Sequence, residues 1–220
     1  MRIAILSDIH GNYEAFIRCL SDIERSNIDR IVNLGDAIGY GPQPEEVLWL
    51  IEKRNILNIL GNHELAAINN NYRSEFSPRA IKSLKQTLKY LTSAALAYIE
   101  NLPLYREVEG GLMVHGCQPD SPTAYLNHMS SLEIIAAFES NDFKIAFSGH
   151  THRLMLMSYD GKDLRFAPLH QKTISLKPGC RHIVNVGAVG QPRDNDPRAG
   201  SEEQQAAATG VAGSRVERAG

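Results

Sequence analysis

Five short apolar runs in this chain each end, within one to three residues, in side chains that bind hard cations. Ile3-Ala4-Ile5-Leu6 leads to Asp8 and His10, Ile31-Val32-Asn33-Leu34 to Asp36, and Leu57-Asn58-Ile59-Leu60 to Asn62 and His63. Leu112-Met113-Val114 leads to His115, and Ile145-Ala146-Phe147 to His150 and His152. Carboxylate, amide and imidazole groups without thiolate are the ligand mixture expected for Mn, Fe, Zn, Co or Ni. If each run is a strand, these groups lie outside strand carboxyl ends. There the backbone of an α/β protein turns, and side chains from separate strands can converge. The five loops then build one site.

Each motif alone has a plain structural explanation. Asp8 could cap the following helix, Asn62 could cap a helix starting near Glu64, and His115 could be a satisfied core histidine. The joint order favours a metal site instead: of the 8 histidines, His10, His63, His115, His150 and His152 all stand at run ends within three residues of a Gly. His128, His170 and His182 fall outside the pattern and read as structural. Asp36 sits between Gly35 and two further glycines, Gly39 and Gly41, in a backbone loose enough to aim its carboxylate inward. Two carboxylate oxygens can bridge two cations. Ser7 and Cys117 adjoin candidate ligands, but a cation-activated water makes a covalent nucleophile unnecessary.

The elements that must position these groups follow from periodicity. After the first run, Ala15, Phe16, Cys19, Leu20 and Ile23 recur at helical spacing, with Asn12 as the N-cap. The second run is followed by Pro44, Glu45 and Glu46, residues suited to a first helical turn, and then by Val47, Leu48 and Ile51. A third strand over 56–60 completes β-α-β-α-β, parallel by the crossover rule. Ile81, Leu84, Leu88 and Leu91 predict a helical insertion over about 64–101, with Thr92 capping a further helix that ends at Leu102-Pro103. Short β-like runs at Leu112–Val114, Ile145–Phe147, Leu154–Tyr159, Leu164–Pro168 and Ile183–Val186, broken by a helix near Leu132–Phe138, predict a second sheet.

The chain has 220 residues, 43% hydrophobic, with formal net charge -2, which suits one domain over 1–199. No run of about eighteen apolar residues occurs and no charged segment with an apolar stretch opens the chain, so it reads as soluble, without a membrane partner. The 3 cysteines are odd in number and suggest neither a disulfide framework nor a thiolate zinc site, which fits a cytoplasmic, reducing setting. The balanced charge gives no extended nucleic-acid surface and leaves a small phosphorylated substrate as the partner, with homo-oligomerisation open. Residues 200–220 are polar and small, so disorder is expected, and they read as a frameshift or truncation scar.

Asp8-x-His10-Gly11-Asn12, Gly35-Asp36 with Gly39, Gly61-Asn62-His63-Glu64, Val114-His115-Gly116 and Gly149-His150-Thr151-His152 stand here in one order. In these blocks the chain resembles the calcineurin-like metallophosphoesterase superfamily over about residues 1–198, most of all its small single-domain prokaryotic members related to diadenosine tetraphosphatases. The resemblance implies an α/β (α+β) fold, a two-sheet β-sandwich flanked by helices in four αββα layers. It implies two divalent metal ions, Mn first with Fe, Zn, Ni or Co as alternatives. Asp8, His10 and His152 would hold one ion, Asn62, His115 and His150 the other, and Asp36 would bridge them. The implied reaction is hydrolysis of phosphoester bonds, as phosphodiesterase or phosphatase, by a metal-bridging hydroxide. Unligated His63 would assist the phosphoryl group or the leaving group.

Supporting residues carry two readings each. Asn12 is a helix cap or a contact to a substrate phosphate, Glu64 orients His63 or favours a helix start, and Arg193 clamps phosphate or makes a surface ion pair. The helical insertion and the loop 117–131, with Tyr125 and His128, should wall the pocket. Departures from the family lie near the end, with Val186 and Ala188 where Pro and Ser are commoner and a polar tail from Gly200 where apolar strand residues usually continue. A non-catalytic interaction or scaffold module on the same fold is the alternative function, but such a module would not need every ligand position filled. A nucleotide switch lacks support, since no glycine-rich phosphate loop follows a strand.

Overall fold

The chain opens with two strand-helix units whose short strands pair in parallel. In the computed structural model, which describes residues 1–117, 121–169 and 174–193, strand β1 spans Ile3–Leu6, helix α1 Tyr13–Glu24, strand β2 Arg30–Asn33 and helix α2 Pro44–Lys53. The Asn12 side chain caps α1 by accepting from the Ala15 N–H, as its position predicts. Strand β3, Leu57–Asn58, completes a three-stranded parallel sheet in the order β1-β2-β3. It is shorter than the apolar run 56–60 suggests. The Leu60 N–H leaves the sheet and donates instead to the Pro103 carbonyl at 2.8 Å.

Helices α3 (Asn62–Ile68), α4 (Pro78–Thr87) and α5 (Ser93–Glu100) fill the stretch where a helical insertion is predicted. Thr92 caps α5 by accepting from the Ala95 N–H. The apolar spacing through Leu91 overstates α4, which stops at Thr87 with Leu88 as its C-cap, while Leu88 and Leu91 still pack on the core.

A second, six-stranded sheet follows, ordered β4-β5-β6-β9-β7-β8. Its strands are β4 Tyr105–Val108, β5 Gly111–Val114, β6 Ile145–Ser148, β7 Leu154–Tyr159, β8 Leu164–Pro168 and β9 Arg181–Val186, with helix α6 at Ser131–Glu139. Strand β4 has no counterpart among the predicted runs. Its hairpin to β5 turns through Glu109 and Gly110 at φ 50 and 75, the left-handed pair that matches strand twist in a two-residue loop.

Alternation along the strands sorts the core into layers. Ile5, Val32, Leu34 and Ile59 from the first sheet meet Met113, Phe147, Leu156 and Val184 from the second in one cluster between the sheets. On the outer face of the first sheet, Ala4 and Leu6 pack with Phe16, Leu20, Val47 and Ile51 of α1 and α2. On the outer face of the second, Leu112, Val114 and Ala146 pack with Ile134 and Phe138 of α6. The order helix, sheet, sheet, helix is thus the four-layer sandwich expected from the resemblance. Among the described residues no helix is long and apolar enough to cross a membrane. His170 and the polar tail from Gly200 lie outside the described residues, whereas Val186 and Ala188 are both buried.

Candidate metal centre

The loops after β1, β2, β5, β6 and β9 are stitched together backbone to backbone at one edge of the sandwich. Asp8 N–H donates to the Gly35 carbonyl (3.1 Å), His10 N–H to the Asp36 carbonyl (2.8 Å), Gly149 N–H to the His115 carbonyl (2.8 Å) and Gly190 N–H to the Asp8 carbonyl (2.9 Å). This mesh holds Asp8, His10, Asp36, His150 and His152 at φ 55, 52, 52, 64 and 61. Left-handed backbone is uncommon outside glycine and costs about 1–3 kcal/mol per residue unless the surroundings impose it. Five of the predicted ligands are therefore held at a backbone expense, which is where functional strain is found.

Glycines make the approach possible. A Cβ on Gly61 would collide with Asp36 Oδ1, one on Gly149 with Ser7 Oγ, and one on Gly39 with the His63 ring.

The eight predicted residues converge, and all are buried: Asp8, His10, Asp36, Asn62, His63, His115, His150 and His152. Asp8 Oδ1 lies 3.1 Å from His152 Nε2 and 3.5 Å from His10 Nε2, while the two Nε2 atoms are 3.1 Å apart. Asp36 Oδ2 faces His115 Nε2 at 3.4 Å and His10 Nε2 at 3.7 Å. Asn62 Oδ1 lies 3.1 Å from His115 Nε2. Potential ligand atoms form three overlapping groups: Asp8, His10 and His152; Asp36, His115 and His150; and His10, Asp36 and His63.

Hydrogen bonding on the far side of each ring shows what these atoms need. His10 Nδ1 meets the Ile38 carbonyl at 3.0 Å, His115 Nδ1 the Leu34 carbonyl at 2.7 Å, His152 Nδ1 the Gln191 carbonyl, and His150 Nε2 the Thr123 carbonyl at 3.1 Å. A carbonyl oxygen only accepts, so each of these ring nitrogens donates, and in neutral rings the other nitrogen presents a lone pair. Those lone pairs face carboxylate and amide oxygens, and Asp8 Oδ1 has no hydrogen-bond partner. Lone pair against lone pair is repulsive without a positive charge between them. Ligands sharing one cation at about 2.1 Å stand roughly 3.0–3.4 Å apart, so most of these separations suit divalent cations.

Proton affinities tell the same story. Burial raises the Asp8 carboxyl, but His152 and His10 beside it prevail and hold it well below its ordinary value. Asp36 likewise ends well below the usual carboxylate range, because His115 and His63 outweigh its burial. Burial pulls His115 down, yet Asp36 pushes it up to about 9. His63 and His150 fall to about 3, chiefly through burial.

The remaining carboxylate oxygens are anchored. Asp8 Oδ2 accepts from Ser7 Oγ (2.7 Å) and the His150 N–H (2.9 Å), and Asp36 Oδ1 accepts from the His63 N–H (2.9 Å). Asp8 therefore does not cap α1. Asn62 is not a cap either, because Gly61 is the N-cap of α3 and Asn62 is its first helical residue.

Glu64 serves neither His63's ring nor the helix start alone. Its carboxylate accepts from the N–H groups of Asp36 (2.8 Å), Ile38 (3.0 Å) and Gly61 (3.1 Å), tying the Asp36 loop to α3. Burial and the Asp36 charge raise it to about 7. Glu64→Gln leaves one oxygen for three donors, and we expect about 1–3 kcal/mol of unfolding free energy to be lost. Urea denaturation measures it, and an unchanged midpoint would contradict this anchoring role.

Asn12 is engaged at both ends of its amide, capping α1 and donating to the Gly190 carbonyl at 3.2 Å. Arg193 is exposed, its N–H donates to the His152 carbonyl at 3.3 Å, and its guanidinium reaches Gln191 Oε1 at 3.4 Å. Two neighbours completing the surroundings carry no signal of this role in their residue type: Tyr40, edge-on to His10 with centroids 4.8 Å apart, and the carbonyl of Gln191. Tyr125 stacks on His150 at 3.7 Å, with His128 5.0 Å beyond it, so Tyr125 lies directly against the centre. His182 lies away from the site and pairs with Ser158 Oγ at 3.0 Å.

A family model for calcineurin-like phosphoesterases matches residues 1–154. An uncharacterized protein of Methanocaldococcus jannaschii is 31% identical over 195 residues, which are 87% of this chain and 77% of that protein. A symmetrical bis(5'-nucleosyl)-tetraphosphatase of Wigglesworthia glossinidia brevipalpis is 45% identical over a shorter stretch of 65 residues, 28% of this chain and 24% of that enzyme. The crystal structure of a metallophosphoesterase from Sphaerobacter thermophilus superposes with a TM-score of 0.71 at 33% identity, covering 90% of this chain and 80% of its own. The sandwich, its edge of side chains that could hold cations and a match over most of the chain agree, and the chain belongs to the calcineurin-like phosphoesterase family, metal-dependent hydrolases of phosphoester bonds.

Proposed function

We propose that this chain hydrolyses phosphoester bonds at a dinuclear centre, with one ion on Asp8, His10 and His152, a second on Asn62, His115 and His150, and Asp36 bridging. The observation that carries this reading is the position of Asp36 Oδ2, which faces His115 and His10, one from each trio, while Oδ1 is occupied by the His63 N–H. When bound, a pair of divalent cations lowers the pKa of a shared water and neutralises charge on the attacking and leaving oxygens of displacement at phosphorus. Oxygen and imidazole donors suit Mn, Fe, Zn, Co or Ni, and Mn is the ion we assign. A cytoplasmic setting belongs to the same proposal, from the odd cysteine count.

The chain's own groups do the rest. The carbonyls behind His10, His115, His150 and His152 fix ring orientation and turn the other ring nitrogen inward, where it offers a lone pair once deprotonated. His63 Nδ1 is buried without a partner, and the ring is held among His10, Tyr40 and Phe76 at centroid distances of 4.9, 4.8 and 4.8 Å. Its proton affinity is so low that the ring is neutral at neutral pH. In this reading His63 helps as a neutral imidazole, donating an N–H to a phosphoryl or leaving oxygen. A binding module on the same fold would have no use for that unsatisfied ring beside the cluster.

The test is hydrolysis of bis(p-nitrophenyl) phosphate and p-nitrophenyl phosphate by metal-stripped protein before and after Mn²⁺ is restored. Turnover that returns only with the metal supports the proposal, and its absence from folded, metal-loaded protein contradicts it. A second expectation concerns protons. His115, raised to about 9 in metal-stripped protein, is protonated at pH 7 and must lose that proton to serve a cation. Mn²⁺ binding should expel protons at pH 7, expel fewer well above pH 9, and tighten as pH rises between those limits. Proton release in weakly buffered solution reads this directly.

A further inference from the structure

Two phenols pack against different histidines of the centre. Tyr40 sits edge-on to His10 at 4.8 Å and tilted against His63 at 4.8 Å, while Tyr125 stacks on His150 at 3.7 Å. Burial raises the proton affinity of both phenols, and the side chain of Arg193, close enough to act on either hydroxyl, opposes that rise in each. The backbone of Arg193 is pinned to the site as well, through its N–H and the His152 carbonyl.

The placement of Tyr40 is imposed. Gly39 and Tyr40 take φ 95 and 51, and the Tyr40 N–H donates to Ser83 Oγ of α4 at 2.7 Å. A bulky aromatic residue in left-handed backbone is an outlier that persists only when the surroundings demand it. The partners chosen for Arg193 matter too. A carboxylate would neutralise the guanidinium, whereas phenol oxygens orient it and leave its full charge available. With five N–H donors in a planar fork, it can bond two phenols and still offer donors to an anion.

On the basis of the hydrolase reading above, we infer that Tyr40 and Tyr125 are positioning residues that hold the Arg193 guanidinium over the centre to take a non-bridging oxygen of the substrate's phosphoryl group. The hydroxyls, not the rings, carry this role. Tyr40→Phe and Tyr125→Phe keep the packing on His10 and His150, so metal content and thermal unfolding should not change.

The experiment is a mutant cycle on the full, Mn-loaded chain, read by kcat/KM for bis(p-nitrophenyl) phosphate and by calorimetric binding of inorganic phosphate. Arg193→Ala should lower both by about 10–100-fold, the range for a hydrogen bond to a charged group. The double variant Tyr40→Phe/Tyr125→Phe should lower both by about tenfold, and adding Arg193→Ala to it should cost less than the single change does. Arg193→Lys, which keeps charge without the fork, should recover only part of the loss. Full additivity, or tyrosine variants that bind phosphate as wild type does, would overturn the inference. Wild-type protein that binds phosphate without turning over an ester would instead count against the hydrolase reading, and the phosphate arm would still decide the clamp.

Discussion

Asp36→Asn should lower metal-dependent turnover by about 10³-fold or more, beyond the roughly 10–100-fold typical of losing an outer partner of a metal ligand. The exchange is nearly isosteric, so packing is not the cause. Asp36 uses both oxygens as acceptors, Oδ1 for the His63 N–H and Oδ2 toward His10 and His115. An amide has one acceptor. If its oxygen keeps the His63 N–H, an NH₂ group points at the proposed cations, and if it turns inward, two donors collide at His63. Either arrangement removes the negative charge that both trios share. Turnover of p-nitrophenyl esters and metal content per chain should fall together, and a variant retaining more than a tenth of wild-type turnover would contradict the bridging role.

His63→Ala should separate chemistry from metal binding. The ring lies among His10, Tyr40 and Phe76 with Nδ1 unpartnered, so its removal takes away a donor at the site and leaves the proposed ligand trios in place. We expect kcat to fall by about 10²–10⁴-fold, the range for a positioned proton donor, with metal stoichiometry unchanged. His63 also shares a potential ligand group with His10 and Asp36. Metal analysis of the variant therefore discriminates, because loss of an ion along with activity would make His63 a ligand. Its backbone N–H to Asp36 Oδ1 survives the substitution, which guards the bridging carboxylate against collateral movement.

The convergence of these Asp, Asn and His side chains was readable because strand ends, glycine and potential metal-binding residues leave a joint pattern that survives without any three-dimensional knowledge. Helix α1 with its Asn12 cap, and α5 with its Thr92 cap, were readable because capping chemistry is local. The misses have a common cause in long-range pairing. Strand β4 is a half-exposed edge strand whose Tyr-Arg-Glu-Val shows little apolar alternation, and it exists because β5 pairs with it. Strand β3 is cut short by a hydrogen bond to Pro103, more than forty residues on. The groups orienting the imidazoles are backbone carbonyls of Leu34, Ile38, Thr123 and Gln191, which any residue type could supply. Tyr40 escaped for the same reason, since only the left-handed turn after Gly39 brings its ring to His10 and His63. Glu64 was visible as a helix-start acid, but its three bonds to distant amides depend on the β2 loop lying against α3.

In the proposed centre two cations, held by Asp36 and six further side chains, perform the hydrolysis. The most direct test is to titrate metal-stripped protein with Mn²⁺ while following bound metal per chain and bis(p-nitrophenyl) phosphate turnover in the same samples. Turnover should saturate only as the second ion binds. Full turnover with one ion per chain, or turnover indifferent to metal, would contradict it.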